Sequence, residues 1–340
     1  MKHWLLIFIG CLLAMGCEKM MMEDDPQGSA EESFDYLWER IDQQYSFFDV
    51  KDVDWQMVYD TLRPKVYDKM PKEQLFSIMA EMLNTLKDGH VNLIATFDAS
   101  HSDSIYYKMY AESNLDWNVV MLNYLTINHH TTGNLQHNCL RDSNVIYIRY
   151  ASFSNAVNAS QMDYIIKQYP KAKGIILDLR QNGGGSVANI WHLLQIMSNH
   201  GQALYTTQIK NGPKHEDFGP GQTLYAPADC GDFKPYTKPV AVLVDRGSYS
   251  ATSTFAVCTQ GYENMILVGD TTGGGLGLPN GGELPNGWRY RFPVTRTLAL
   301  DGNNYENGVP PDIYVTLNKE SVASGIDNVI ECACDFIMNH

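Results

Sequence analysis

Along residues 31–88 the apolar side chains recur every three or four positions. Phe34, Leu37, Trp38, Ile41 and Tyr45 share one face, and Trp55 to Leu62 repeats the pattern briefly. Leu75, Ile78, Met79, Met82 and Leu86 share another. That period is helical. Ser33 stands where it could cap the first helix, Pro71 suits the first turn of the third, and Gly89 suits a left-handed terminus after it. The spacing therefore predicts a small N-terminal helical subdomain over 31–88. "HVNLIATF" then alternates as a strand does. Residues 98–143 keep no even rhythm, and within them "TINHHTTGNLQHN" reads as a hairpin or loop.

From residue 144 the rhythm changes again. "NVIYIRYASF", "GIILDLR", "KPVAVLVD" and "MILVGD" read as strands, with "NASQMDYIIKQY", "SVANIWHLLQIMS" and "SATSTFAVCTQ" as helices between them. "DNVIECACDFIMNH" closes the chain as a helix. Short, wholly apolar strands alternating with helices predict an α/β fold with a parallel sheet covered on both faces. Residues 89–340 are expected to form that core.

Residues 1–17 break both patterns. "MKHW" carries a positive charge, "LLIFIGCLLAMG" is an apolar run, and Cys17 follows Ala14-Met15-Gly16. This reads as a secretory signal. "AMGC" resembles a bacterial lipobox, which implies cleavage before Cys17, lipid on that cysteine and anchoring to the cell envelope. Ala14 departs from the leucine such signals prefer, and Cys11 is a second candidate. Residues 18–30, acidic and rich in turn formers, read as a solvated tether. No later stretch is apolar and long enough to span a bilayer.

The chain has 340 residues, 44% of them hydrophobic, with a formal net charge of −14. That length is ample for a buried core. The acidic balance argues against nucleic acid as a partner. Of its 7 cysteines no pair has CxxC spacing, so neither a zinc site nor any other cofactor is expected.

Ligands of open parallel sheets bind beyond the carboxyl ends of the strands. Three polar, glycine-rich turns fall there: "RQNGGGS", "DRGSYS" and "GDTTGGGLGLPNGG". Serines before a helix are commonly caps. A serine at that place can also be a nucleophile, because the free N–H groups of the first turn would hold the oxyanion its attack creates. A serine needs a base. No lysine occurs between Ser250 and Leu300, and beyond residue 215 the one histidine is His340. The base must then come from upstream. His90 sits at a helix-to-strand junction, and His101, His129, His130, His137, His192 and His200 are the other candidates.

"LKDGHV", "GIILDLRQNGGGS", "VAVLVDRGSYSATSTFA", "ILVGDTTGGG" and "ENGVPPDIYV" occur in the order seen in the C-terminal-processing (tail-specific) serine proteases. That family shares its core with the tricorn protease and the interphotoreceptor retinoid-binding repeats. The resemblance covers roughly residues 85–318 and implies a crotonase-like (ClpP/crotonase) core. Residues 98–143 are too short for the PDZ-type peptide-binding insert many relatives carry, so no PDZ domain is expected. The family's nucleophile is the serine followed by alanine, here Ser250. Ala251 and, within "NGGG", Gly184 would supply the oxyanion hole. Tail-specific members take their base from a lysine, where this chain has Gly275. The tricorn-like branch uses a histidine and a distant glutamate, which match His90 and Glu306. The resemblance thus implies an exported serine endopeptidase acting on peptide or protein substrates through Ser250, His90 and Glu306. Glu306 is expected to orient the imidazole and to raise its pKa by stabilising the imidazolium. The alternative is a catalytically silent binder of a peptide or apolar ligand on the same scaffold.

Overall fold

The computed structural model describes residues 28–102, 113–197 and 201–340. The signal, Cys11, Cys17 with its lipobox, all but the end of the tether, and His200 lie outside the described residues. Among the described residues no helix is long and apolar enough to cross a membrane.

Among the described residues the main sheet has seven strands. In spatial order they are Ile313–Tyr314, Met265–Gly269, Val240–Val244, Gly174–Asp178, Val145–Arg149, Leu135–Leu140 and His130–Thr132. The first five run parallel. The last two add on antiparallel, so the sheet is mixed rather than wholly parallel. Those two are the hairpin foreseen in "TINHHTTGNLQHN". The central strands read as unbroken apolar runs because both of their faces are covered. Ile146, Ile148, Ile175, Leu177, Val240 and Val242 pack under the helices Ala159–Gln168, Ala188–Met197 and Ala251–Thr259. Their neighbours Val145, Tyr147, Ile176, Ala241 and Leu243 face the helix Asn328–Asn339. The period of two along each strand thus divides one sheet between two cores.

The N-terminal helices form where the periodicity put them, at Ala30–Gln44, Trp55–Leu62 and Lys72–Asn84, with a short turn of helix at Phe48–Lys51. Two details differ. Ser29, not Ser33, caps the first helix: its Oγ accepts from Glu32 N at 3.1 Å, and Glu32 Oε2 accepts from Ser29 N at 3.2 Å. This is a capping box, and it leaves Ser33 buried one turn inside. After the third helix the left-handed residue is Lys87, with φ of 48°, and not Gly89.

These helices do not close a core alone. Phe34, Leu37, Ile41, Met79 and Met82 pack with Leu284, Trp288 and Phe292 from far downstream. The strand Asn92–Ile94 likewise stays out of the main sheet. It pairs antiparallel with Arg289–Pro293, which pairs in turn with Pro279–Glu283. A second small sheet joins Ala203–Ile209 to Gln222–Tyr225 and Thr295–Ala299.

Candidate active site

The three glycine-rich turns leave the carboxyl ends of Gly174–Asp178, Val240–Val244 and Met265–Gly269, which are neighbours in the sheet. They meet at the turn that carries the serines, and burial tells those serines apart. Ser248 is fully buried, its Oγ donating to Leu179 O at 2.9 Å. Ser253 is also buried, bonded to Ser248 O at 3.0 Å and Thr272 Oγ1 at 2.9 Å. Both are structural. Ser250 heads the helix Ala251–Thr259 but makes no capping bond there. Its φ of 58° and ψ of −120° are unusual for a residue with a side chain, and such strain clusters at functional sites. The turn is held in place from both sides. Ser250 N donates to Gly274 O at 2.9 Å and Tyr249 N to Asn182 O at 3.0 Å.

His90 comes from the other core, in the loop between Lys72–Asn84 and Asn92–Ile94. Its Nε2 lies 3.1 Å from Ser250 Oγ, and its ring packs against Tyr249 with centroids 5.0 Å apart. Asp88, which the pattern of the sequence did not single out, fixes this loop. Its Oδ1 accepts from His90 N at 2.8 Å and its Oδ2 from Tyr45 Oη at 2.8 Å. The available signal was the spacing in "LKDGH", since an aspartate readily binds the N–H two residues on. The other histidines are elsewhere. His129, His130 and His137 belong to the edge hairpin, and His137 is engaged by Thr132 and Tyr169. His192 is exposed on its helix, and His101 lines a separate cavity beside Phe76 and Glu81.

Glu306 reaches the same region from behind. Its backbone oxygen accepts from Gly275 N at 3.1 Å, in the same turn whose Gly274 supports Ser250. Its carboxylate is 1% exposed, accepts from Leu276 N at 2.7 Å through Oε2, and has Lys51 Nζ 3.7 Å from Oε1. It makes no hydrogen bond to the imidazole, and His90 Nδ1 is buried without a partner. Burial, reinforced by the Asp88 charge, pushes the Glu306 carboxyl up to about 8, against the pull of Lys51 and the backbone N–H of Leu276. Burial also lowers His90; the Asp88 charge opposes this, and Arg291 and Lys51 add to it. The expected upward shift of the histidine is therefore reversed, because desolvation of the imidazolium outweighs carboxylate support.

Gly184 has φ of 94°, and a Cβ there would stand 2.6 Å from Tyr249 O and 2.9 Å from Ala251 N. Only glycine lets this loop approach so closely. Ala251 N, at the first position of its helix, has no intrahelical acceptor. Gly184 N donates to Asn182 Oδ1 at 3.0 Å, so this donor is engaged in the structure as it stands. Gly275 has φ of 74°, and a Cβ on it would fall 2.3 Å from the Tyr249 ring. The ring that packs on His90 thus fills the space a side chain at 275 would need.

A strained serine at a helix start, beyond the carboxyl ends of parallel strands and within reach of an imidazole, is the arrangement of a serine-nucleophile hydrolase. The comparisons narrow the class. Residues 144–315 match the sequence model of peptidase family S41, and residues 26–84 match that of the tricorn protease C1 domain. The chain belongs to peptidase family S41. It is 28% identical over 180 residues to the carboxy-terminal processing protease CtpA of Bacillus subtilis, covering 52% of this chain and 36% of that protein. The chain spans about a third of the length of the curated relatives it matches. A solved structure of a candidate peptidase from Parabacteroides merdae is 35% identical, with a TM-score of 0.85 over 91% of this chain and 96% of that one. The tricorn protease superposes on 91% of this chain and 37% of its own with a TM-score of 0.54 at 13% identity, a likeness of fold.

Proposed function

We propose that this chain is an exported serine endopeptidase of the C-terminal processing type, built on a crotonase-like core without a PDZ module. Ser250 is the nucleophile, His90 the general base and then acid, and Glu306 the group that supports the imidazolium. The observation that carries this reading is the 3.1 Å separation of His90 Nε2 and Ser250 Oγ, across the joint between two cores. When Ser250 donates to Nε2, the remaining ring proton sits on Nδ1, which lacks an acceptor. In this reading a turn of the Glu306 carboxylate toward that proton completes the triad.

The reaction then runs as acyl transfer. Ser250 Oγ attacks the peptide carbonyl while its proton passes to His90. Ala251 N and a donor of the Gly184 loop hold the oxyanion, with Gly184 N released from Asn182 as substrate enters. His90 returns the proton to the leaving amine, and water repeats the sequence to free the acid product. Ser250→Ala should abolish hydrolysis of a peptide substrate in a protein that stays folded. Unchanged turnover would overturn the assignment.

Lipid on Cys17 is part of the same proposal, supported by the lipobox-like "AMGC" and the polar tether after it. Mass spectrometry of the membrane-extracted protein should give a mature chain beginning at acylated Cys17. A different first residue would remove the anchor from the account.

A further inference from the structure

We propose that Lys51 is a positioning residue for this site, its buried ammonium clamping the loop that carries His90 to the loop that carries Glu306. The inference rests on the catalytic reading above and adds the N-terminal helices to the apparatus. Lys51 ends the short helix Phe48–Lys51, and its side chain is 5% exposed. Its Nζ donates to Asn307 Oδ1 at 3.0 Å and to Lys87 O at 3.4 Å, and stands 3.7 Å from Glu306 Oε1. Asn307 answers the contact, its Nδ2 donating to Val50 O at 3.3 Å. One cation therefore joins three segments that the sequence keeps far apart.

Charge explains why a cation belongs there. Asp88 and Glu306 are both buried, 1% exposed each, and repulsion from the Asp88 charge opposes ionisation of Glu306. Lys51 offsets that repulsion from the helical side. The other charged or titratable groups facing His90 and Glu306 are Arg291, Tyr45 and Tyr249. Removing the Lys51 charge should raise the pKa of His90 and of Glu306 together. The active form needs a neutral imidazole and an ionised carboxylate, so both effects move the rising limb of the pH profile upward.

The experiment compares the full chain with Lys51→Met, Lys51→Arg, Asn307→Ala and Ser250→Ala in peptide hydrolysis from acid to alkaline pH. The fraction of molecules labelled by a fluorophosphonate counts competent sites. Lys51→Met should lower kcat about tenfold or more with KM little changed, since the base loses its alignment. Its rising limb should move to higher pH, and Lys51→Arg should restore the limb. Asn307→Ala, which breaks the clamp without removing charge, should lower kcat by a smaller factor and leave the limb in place. The clamp is overturned if Lys51→Met keeps the wild-type kcat and limb while Ser250→Ala is inactive. A loss in Lys51→Met that merely follows its labelled fraction, with the limb unmoved, also overturns it. If Ser250→Ala remains active, the catalytic reading itself fails and takes the clamp with it. Should Lys51→Met not fold, Lys51→Arg and Asn307→Ala decide: wild-type kcat in both overturns the clamp.

Discussion

Two of the buried charge clusters among the described residues are satisfied to different degrees. Around Arg180 every nitrogen of the guanidinium is engaged, and the one orphan nearby is the buried Arg149 Nε. Its Nε and one terminal nitrogen bind Asp178 at 3.0 and 2.6 Å, and the other binds both oxygens of Asp327 at 2.9 and 3.1 Å and Asn114 O at 2.8 Å. Tyr147 Oη adds a bond to Asp178 at 2.6 Å. Burial alone would raise the Asp178 carboxyl, but Arg180 and Arg149 hold it below the usual carboxylate range. Around His90 and Glu306 the demand for partners is not met. His90 Nδ1 has no partner, Glu306 is raised toward neutrality, and Asp88 and Glu306 oppose one another. A densely bonded network fixes geometry, here the end of a central strand against the cap of the last helix. An unsatisfied one keeps groups ready to change proton or partner, which is where catalysis is expected.

Removing groups should separate the two. The largest expected effect is on chemistry: Ser250→Ala and His90→Ala should each lower peptide turnover by about 10³-fold or more, and the double variant by little more than either. Thermal melting should show both folded. If the two losses multiply, the residues do not work as a unit. Next in size is a loss of stability. Arg180→Met leaves the buried Asp327 without a cation and Asp178 with only the more distant Arg149, and should cost about 3–5 kcal/mol in denaturant unfolding. A cost below about 1 kcal/mol would mean the two clusters are not as different as drawn.

Glu306→Gln should have opposite effects on activity and on stability. Wild-type activity should still climb toward about pH 8 as Glu306 ionises, above the limb set by His90. In the glutamine variant the upper step should vanish, with turnover reduced about ten- to a hundredfold. Stability has the reverse sign. A carboxyl raised in the folded state contributes stability that is fully present below its unfolded value and is lost as pH rises through its folded value. The variant should therefore melt above the wild type by a margin that widens from about pH 5 to about pH 8. A margin that stays flat would show that Glu306 is not the strained group. The smallest effect expected is at Gly275. Gly275→Lys should not raise activity and should lower it, because the new Cβ would meet the Tyr249 ring that packs on His90. Faster hydrolysis in this variant would favour a lysine base over the imidazole.

How far the sequence could be read follows from the same physics. Val240–Val244 and Gly174–Asp178 were legible because a strand covered on both faces must be apolar throughout. The turn at Ser250 was legible because glycine and serine cannot continue such a run. Pro279–Glu283 was not, since "PNGGE" has no apolar period and pairs only through its backbone at an exposed edge. Asp88 and Lys51 were hidden for a different reason. A single aspartate or lysine carries no period, and the importance of each arises only where the helical lead-in meets the loops at 87–90 and 306–307. The serine could be found along the chain, but its setting required the fold.

The most direct test of the central claim is the site of labelling by a fluorophosphonate, mapped by peptide mass spectrometry on the folded wild-type protein and on His90→Ala. The account predicts a single adduct on Ser250 in the wild type, formed faster as pH rises through the range where His90 loses its proton, and greatly slowed in His90→Ala. A folded wild type that stays unlabelled, the behaviour of a silent ligand-binding protein on this scaffold, would contradict it. So would an adduct on another residue, or labelling of Ser250 that does not depend on His90.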